Sequence, residues 1–376
     1  MLATTEFALR REVMRAWPVL AKVDISPLCN LRCTMCVHAR PSDTSSKGLH
    51  AQRFRAGQVM SIDRYREVVS QLAGRTATVS LSYVGDPMMH PHLDEICGVT
   101  REAGINSHVS TNFSFGLSDE RLRSIVKSGL THLRVCVDGL TQEMYGRTRV
   151  GGKLALVMEN LQRLLRIRGE LGSVYPRVEV QYIKYRHNVA QVGQARGLFR
   201  SWGVDLFTEM WGILHNVTDT SGDVLNTSGP LRRRVVPRCM KPFMSILVRY
   251  DGGALPCACH RQAHQYTEGS DAERRELGNV FDDGVWAVWN SPAYRALRRL
   301  SANPQRALAE PALAHTFCEK CPELYATDVD RYFRRANAHA WEDMYQQDDR
   351  GRVTRKPLVQ LGPTPVRPQR ETPVDV

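Results

Sequence analysis

Cys29-Asn30-Leu31-Arg32-Cys33-Thr34-Met35-Cys36 is a C-x3-C-x2-C run, and the rest of the chain is read from it. It follows directly on the apolar residues 19–25, which read as a β-strand. Structural zinc takes four ligands, usually as two close pairs. Three thiolates in one tight loop suit a different group, a [4Fe–4S] cube bound through three irons with the fourth left open. An open iron can chelate a ligand that carries an amine and a carboxylate. Reductive cleavage of a sulfonium on that ligand would give a carbon radical.

The sequence beyond the cysteine run alternates short apolar stretches with amphipathic ones. Ser61 reads as an N-cap for Ile62, Tyr65, Val68, Val69 and Leu72 at helical spacing, with Gly74 as the stop. Residues 76–83 are strand-like. Leu93, Ile96, Val99 and Ala103 mark a helix closed by Gly104, and residues 105–110 are strand-like again. Ser118 caps a segment with Leu122, Ile125 and Val126, ended by Gly129. Strands are expected at 132–137, 177–183 and 204–210, and helices at 154–168 and 189–202. Six βα-like units in a row imply parallel pairing and right-handed crossovers. Six is fewer than the eight of a closed TIM barrel. A partial, open barrel and a doubly wound sheet both satisfy the count, and both place chemistry at the C-terminal strand ends.

A chain of 376 residues accommodates two domains, or one large domain and a smaller one. No apolar run approaches the ~20 residues of a membrane helix. Glu6, Arg10, Arg11, Glu12 and Arg15 leave no apolar signal-peptide core in residues 1–17. The cytoplasm, with reduced thiols, is therefore the expected location. The ten cysteines then read as ligands, reactive thiols or buried apolar residues. The net charge of +12 permits an anionic partner. Its arginines are spread along the chain rather than gathered in a basic block with aromatics, so neither nucleic acid nor a membrane is expected as a partner. Residues 40–57 read as a surface loop and 216–238, rich in Thr, Ser, Gly and Arg, as a linker. The expected layout is a lead-in at 1–18, a βα barrel at 19–215, the linker, a Cys-rich domain at 239–345, and a disordered Arg/Pro-rich tail at 346–376.

Over residues 19–345 the chain resembles the radical S-adenosylmethionine (SAM) superfamily. Val84-Gly85-Asp86-Pro87 stands where that family has a Gly-Gly-Glu-Pro turn whose backbone meets the SAM amino group, with Val84 and Asp86 as departures. Thr111-Asn112 resembles the Thr-Asn pair near the SAM ribose. Val137-Asp138-Gly139 resembles the family's Ser-x-Asp-Gly at a strand end, and Met35 stands where an aromatic is common. The resemblance implies a partial (βα)6 barrel and a SAM-binding [4Fe–4S] cluster on Cys29, Cys33 and Cys36. It also implies SAM contacts at Gly85, Asp86, Pro87, Thr111 and Asn112, and a flavodoxin- or ferredoxin-type reductant. Downstream, Cys239, Gly252 and Cys257 form C-x12-G-x4-C, and Cys318-x2-Cys321 adds a close pair. With Leu277-Gly278-Asn279-Val280 and the stretch around Trp286, Trp289 and Arg298, these resemble the SPASM or twitch extension. Full SPASM regions use seven cysteines for two clusters. Here four match the single-cluster layout, which implies one auxiliary [4Fe–4S] cluster on Cys239, Cys257, Cys318 and Cys321. Zinc also binds a four-thiolate set; the first cluster favours iron–sulfur. Cys259 is then a spare thiol or a substitute ligand, and His260 and His264 read as surface residues.

Strand alternation over 132–137 turns Leu133, Val135 and Val137 to the helices and Arg134, Cys136 and Asp138 to the lumen. Cys136 stands where the family commonly has Ser, and a thiol donates hydrogen atoms well. Cys136 and Asp138 are the candidate catalytic residues. Glu179, Gln181, Lys184 and Glu209 are candidate lumen groups for hydroxyls or amines, and Cys97 reads as core. The leading expectation is a radical SAM dehydrogenase that oxidises an alcohol carbon of an aminocyclitol or amino-sugar, as in antibiotic biosynthesis, with an electron passing to the auxiliary cluster. The alternatives are a sugar epimerase using Cys136 as hydrogen-atom donor and a modifier of ribosomal peptides. A non-catalytic basic protein on nucleic acid would leave Gly85-Asp86-Pro87 and Thr111-Asn112 without a purpose.

Overall fold

In a computed structural model the described residues are 1–33, 36, 58–185, 187–211, 239–258, 277–313, 316–318, 321–325, 345–347 and 353–355. The loop expected at 40–57, the linker at 216–238, Cys259, His260 and His264 lie outside them.

Strands β1 (Leu20–Val23), β2 (Thr78–Ser80), β3 (Asn106–Thr111), β4 (His132–Cys136), β5 (Arg177–Lys184) and β6 (Leu206–Trp211) pair in parallel and in sequence order. A doubly wound sheet reverses its strand order at a switch point. This sheet does not, so the partial barrel is the architecture. β7 (Ser245–Val248) then adds in parallel to the free side of β1, Leu20 opposite Ser245 and Val23 opposite Val248. β8 (Ala254–Leu255) closes the eight-stranded sheet antiparallel to β7. The Cys-rich half of the sequence thus continues the barrel sheet itself.

Helices α1 (Leu2–Ala8), α2 (Ile62–Leu72), α3 (Leu93–Glu102), α4 (Asp119–Lys127), α5 (Gln142–Thr148), α6 (Leu154–Glu170) and α7 (Val192–Ser201) precede or connect the strands. Ser61 and Ser118 cap α2 and α4, their hydroxyls accepting from Arg64 N at 3.3 Å and Arg121 N at 3.2 Å. The expected helix at 189–202 divides into a 3-10 turn, Val189–Gln191, and α7. α5 has no apolar period to betray it, because only Tyr145 and Thr148 of its seven residues are buried. Among the described residues no helix is long and apolar enough to cross a membrane.

The second half holds α8 (Lys241–Met244), α9 (Val285–Trp289), α10 (Pro292–Ala302), which carries Tyr294 and Arg298, α11 (Arg306–Ala309) and α12 (Pro322–Tyr325). Arg298, fully buried, donates to Pro242 O (2.8 Å), Glu12 O (2.9 Å) and Trp289 O (2.6 Å) and lies over the Trp289 ring. Burial brings its guanidinium down to about 10. Trp289 Nε1 donates to Ala16 O at 2.9 Å, so the N-terminal lead-in is tied to this half. Gly252 has φ +86, and a Cβ there would stand 2.2 Å from Asn279 Oδ1. That clash explains the glycine of C-x12-G-x4-C: Val280 N reaches Gly252 O at 2.8 Å and Ala254 N reaches Gly278 O at 2.9 Å. β9 (Tyr345–Gln347) straddles the start of the tail expected to be disordered at 346–376 and pairs antiparallel with β10 (Val353–Arg355); the tail's other residues lie outside the described ones.

Candidate active site

The cysteine run leaves β1 through Ser26-Pro27-Leu28 and packs against the turn after β2. Gly85 is required at that contact. A Cβ there would come within 2.1 Å of Ser26 O and 2.5 Å of Leu28 O. Asp86 N donates to Leu28 O at 2.8 Å, and the Asp86 carboxylate accepts from Met88 N (3.0 Å), Thr111 Oγ1 (3.0 Å), Asn112 N (2.7 Å) and Asn112 Nδ2 (2.7 Å). Burial pushes Asp86 up to about 6 against the pull of these donors. Asn112 Nδ2 also reaches Asn30 Oδ1 at 2.9 Å and lies 3.8 Å from Cys29 Sγ. One polar network therefore unites the cysteine loop, the Gly85-Asp86-Pro87 turn and Thr111-Asn112. Burial raises the Cys29 thiol well above its ordinary range, with neighbouring Asp86, Cys33 and Cys36 adding to the rise. Burial pushes Cys33 up to about 12. Thiols so disfavoured as lone anions are suited to a polycation that takes up their charge.

The lumen follows the strand alternation. Leu133, Val135, Val178, Val180 and Tyr182 are buried on the helix side. On the inner side Arg134 Nε and His132 Nε2 each lie 2.9 Å from Glu179 Oε2, and the Thr208 hydroxyl donates to Glu179 Oε1. Burial opposes the Glu179 charge, but His132, Thr208 and Arg134 together hold it down to about 2. Cys136 Sγ is 3.7 Å from Ser110 Oγ. Burial keeps its thiol protonated, as a hydrogen-atom donor must be. Asp138 has no exposed surface; Oδ2 is 2.6 Å from Arg149 Nε and Oδ1 accepts from Ile183 N at 3.0 Å. Lys184 and Glu209 depart from the expectation. Glu209 pairs with Arg196 of α7 at 3.0 Å, Arg196 also lies over Phe207, and Lys184 is 3.7 Å from Glu209. Both sit on the helix side, since residue 184 shares the parity of Val180 and Tyr182.

Three residues outside the sequence expectation join the site. Asp24, at the inner end of β1, is 2% exposed. The Val84 and Gly85 N–H groups donate to its carboxyl, while Oδ1 has no partner among the described residues. Burial pushes it up to about 7. Lys22, two residues earlier on the same face, is lowered by burial and then by Arg134 and Lys241. The alternation Ala21-Lys22-Val23-Asp24-Ile25 marks both. Arg149 lies in a loop, where no periodicity could have exposed it.

In the second cysteine set, Cys318 is buried in the core and Cys239, Cys257 and Cys321 pack against it. Cys321 N donates to Cys318 O at 3.1 Å, as a C-x2-C turn does. Tyr294, on α10, lies within electrostatic reach of both Cys257 and Cys318, which brings the two halves of the set to one residue. Among the described residues, no three Cys, His, Asp or Glu side chains converge as ligands of a single metal ion.

A family model for the radical SAM superfamily matches residues 23–175, and one for the SPASM iron–sulfur cluster-binding domain matches residues 239–322. The chain belongs to the radical SAM superfamily. Among curated relatives of this radical SAM protein is the tungsten-containing aldehyde ferredoxin oxidoreductase cofactor-modifying protein of Pyrococcus furiosus, 21% identical over 82% of this chain and 90% of that protein. Among solved structures, SuiB of Streptococcus suis covers 87% of this chain and 80% of its own, at 12% identity and a TM-score of 0.53. SuiB is also known bound to its precursor peptide SuiA. BtrN in complex with AdoMet and 2-DOIA covers 78% and 91% at 16% identity, with a TM-score of 0.46, too loose a likeness to carry a substrate. The radical SAM domain implies a [4Fe–4S] cluster with SAM, and the SPASM domain implies auxiliary iron–sulfur chemistry. The residues present fit the first group, with the thiols of Cys29, Cys33 and Cys36 neighbouring one another beside the Asp86 network, and in the second set Cys257 and Cys318 both lie near Tyr294.

Proposed function

We propose that this radical SAM enzyme oxidises an alcohol carbon of a polar small molecule, with an aminocyclitol or amino-sugar as substrate class, and passes an electron to an auxiliary cluster. The observation that supports this reading is the position of the lumen between the two thiol sets. Cys33 lies within electrostatic reach of Asp138 and Arg149 at one end. Cys257 lies within reach of Lys22 of β1 at the other. When bound, the first cluster and SAM supply the radical that takes a hydrogen atom from a substrate C–H bond. Glu179 holds Arg134, His132 and Thr208 in a polar belt that receives hydroxyls. Asp24 takes the hydroxyl proton on its unpartnered oxygen as the remaining electron leaves toward the second thiol set, giving a ketone. Asp138 keeps Arg149 aimed and takes no proton in this scheme.

The test is anaerobic incubation of the reconstituted protein with SAM, dithionite and a panel of aminocyclitols and amino-sugars. Ketone formation in step with 5'-deoxyadenosine is the expected result. Deoxyadenosine without a ketone from any of them removes the reading. Cys136, buried and protonated 3.7 Å from Ser110, favours sugar epimerisation as the second reading. The variant Cys136→Ala separates them: it should keep ketone formation and abolish solvent-derived hydrogen in an epimer. Peptide modification would instead announce itself as a mass shift on a bound precursor peptide.

A further inference from the structure

Lys22 and His108 stand inside the lumen, and neither the family landmarks nor the proposed chemistry gives them a task. Parallel pairing sets Lys22, Ser80, His108 and His132 in one row across β1 to β4, each opposite the next. Ala21, Val79, Val109 and Leu133, their neighbours along each strand, have no exposed surface on the helix side. The row therefore faces the lumen. Ser80 Oγ lies 3.0 Å from His108 Nδ1, and the His108 and His132 rings meet edge to face at 5.0 Å. His132 Nε2 and Arg134 Nε complete the row on Glu179 Oε2, each at 2.9 Å. Two groups are left over. His108 Nε2 is buried without a partner, and the Lys22 ammonium makes no hydrogen bond or ion pair among the described residues. The wall is open beside them: the His132 and Arg134 side chains are 30% exposed, while Glu179 beneath them is 2% exposed.

We propose that Lys22, His108 Nε2 and Arg134 form an oxyanion subsite in the lumen, which holds a carboxylate or phosphate carried by the substrate. The charges of the row ask for such a group. Glu179 is matched by Arg134, which leaves the Lys22 ammonium as the surplus cation. Asp24, two residues further along the chain, is kept uncharged by burial until about 7. Burial and then Arg134 hold His108 down to about 3, so its ring is neutral. With the Ser80 hydroxyl donating to Nδ1, the ring proton stands on Nε2 and faces the lumen as a donor. Arg134 spends Nε on Glu179, and its guanidinium has further N–H groups to give. An ammonium and a guanidinium beside a neutral N–H donor suit an oxyanion. A cation has no place there: Lys22 and Arg134 flank the histidines, and among the described residues no three Cys, His, Asp or Glu side chains converge on one ion. A half-buried ammonium without a partner destabilises the empty lumen, and a bound oxyanion offsets that cost. The inference rests on the lumen as the substrate's seat, as in the reading above, and narrows the amino-sugar class to members that bear an acid group.

The test uses the reconstituted protein, anaerobic and saturated with SAM. Calorimetric binding and the thermal midpoint are followed with inorganic phosphate, with acetate and, at equal ionic strength, with chloride. At least one of the two oxyanions should bind at one site per chain and raise the midpoint above that in chloride. Phosphate alone points to a phosphate ester as substrate, and acetate to a carboxylate. Lys22→Met should weaken this binding about tenfold or more, yet melt above the parent when no oxyanion is present, because it removes an unpaired charge. Phosphate and acetate both behaving as chloride does, or oxyanion binding undiminished in Lys22→Met, overturns the proposal. Lys22 serving only as counter-charge to the second cysteine set would lower the midpoint of Lys22→Met and leave the oxyanions without effect, which also overturns it. Should Lys22→Met not fold, His108→Phe, which keeps a ring beside His132 and removes Nε2, carries the same comparison. Ketone formation from neutral amino-sugars without oxyanion binding would remove the subsite and keep the oxidation reading. Oxyanion binding without a ketone from any substrate would do the reverse.

Discussion

A single methyl group at position 85 would close the space through which the cysteine loop begins. Because the atoms it would strike, Ser26 O and Leu28 O, are backbone, no side chain can swing aside. Gly85→Ala should therefore lose the first cluster's iron and SAM binding while keeping its helical circular dichroism; full iron loading would show that the loop can shift. Asp24 makes a different demand. Its carboxyl is near 7 when folded against an ordinary value of 3.8. The native state thus holds a proton that the unfolded chain releases, and stability present at low pH is lost as pH rises through 7. Each unit of difference is worth about 1.4 kcal/mol. Asp86, near 6, acts in the same direction at lower pH, whereas Glu179, lowered from 4.5 to about 2, acts in the opposite sense, its stabilisation being lost as pH falls from 4.5 toward 2. Between pH 6 and 8 the thermal midpoint should fall, and Asp24→Asn should flatten that fall. An equal slope in the variant would place the titration elsewhere.

At the scale of elements, the alternating pattern was legible because each unit repeats one device. Serine caps start α2 and α4, and left-handed glycines follow α2, α3 and α4 at positions 74, 104 and 129. α5 and β7 are among the elements that escaped it. α5 is too short to show a period. The parallel seat of β7 beside β1 depends on a pairing partner some 220 residues distant, which no local pattern records. Lys184 and Glu209 were misjudged because a list of polar residues ignores parity, and parity decides which wall of a strand a side chain serves. Arg298 carries the prediction at this scale. It bonds three carbonyls belonging to the lead-in, α8 and α9. Arg298→Met would leave buried acceptors without donors, at a cost of about 3 kcal/mol or more. Hydrogen exchange should show faster opening in α8, α9 and α10 together. Faster exchange in one of them alone would mean that Arg298 does not join them.

For the whole molecule, two cysteine sets on one continuous sheet predict two separable pools of iron. Reconstituted protein should hold roughly eight irons for two four-iron clusters, and Cys318→Ala/Cys321→Ala should remove about half, leaving SAM binding intact. Zinc retained in place of that iron would contradict the assignment. The two cysteine sets were legible because spacing is itself a chemical signal, three thiols in one loop and a close C-x2-C pair downstream, and the iron count tests whether they act as ligands. Asp24, Lys22 and Arg149 were harder to see because a lone charged residue has no meaning until its neighbours in space are known.

The same sheet sets a schedule for the growing chain. β2 follows β1 by about 55 residues, but β7 follows it by about 220. At the ~5–20 residues per second of protein synthesis, one side of β1 waits on the order of ten seconds or longer with bare N–H and C=O groups, an invitation to pair with another nascent chain. Its brevity, four residues from Leu20 to Val23, limits that hazard. Yield in the cell should accordingly depend on translation speed between β6 and β7 more than on the stability of the finished protein.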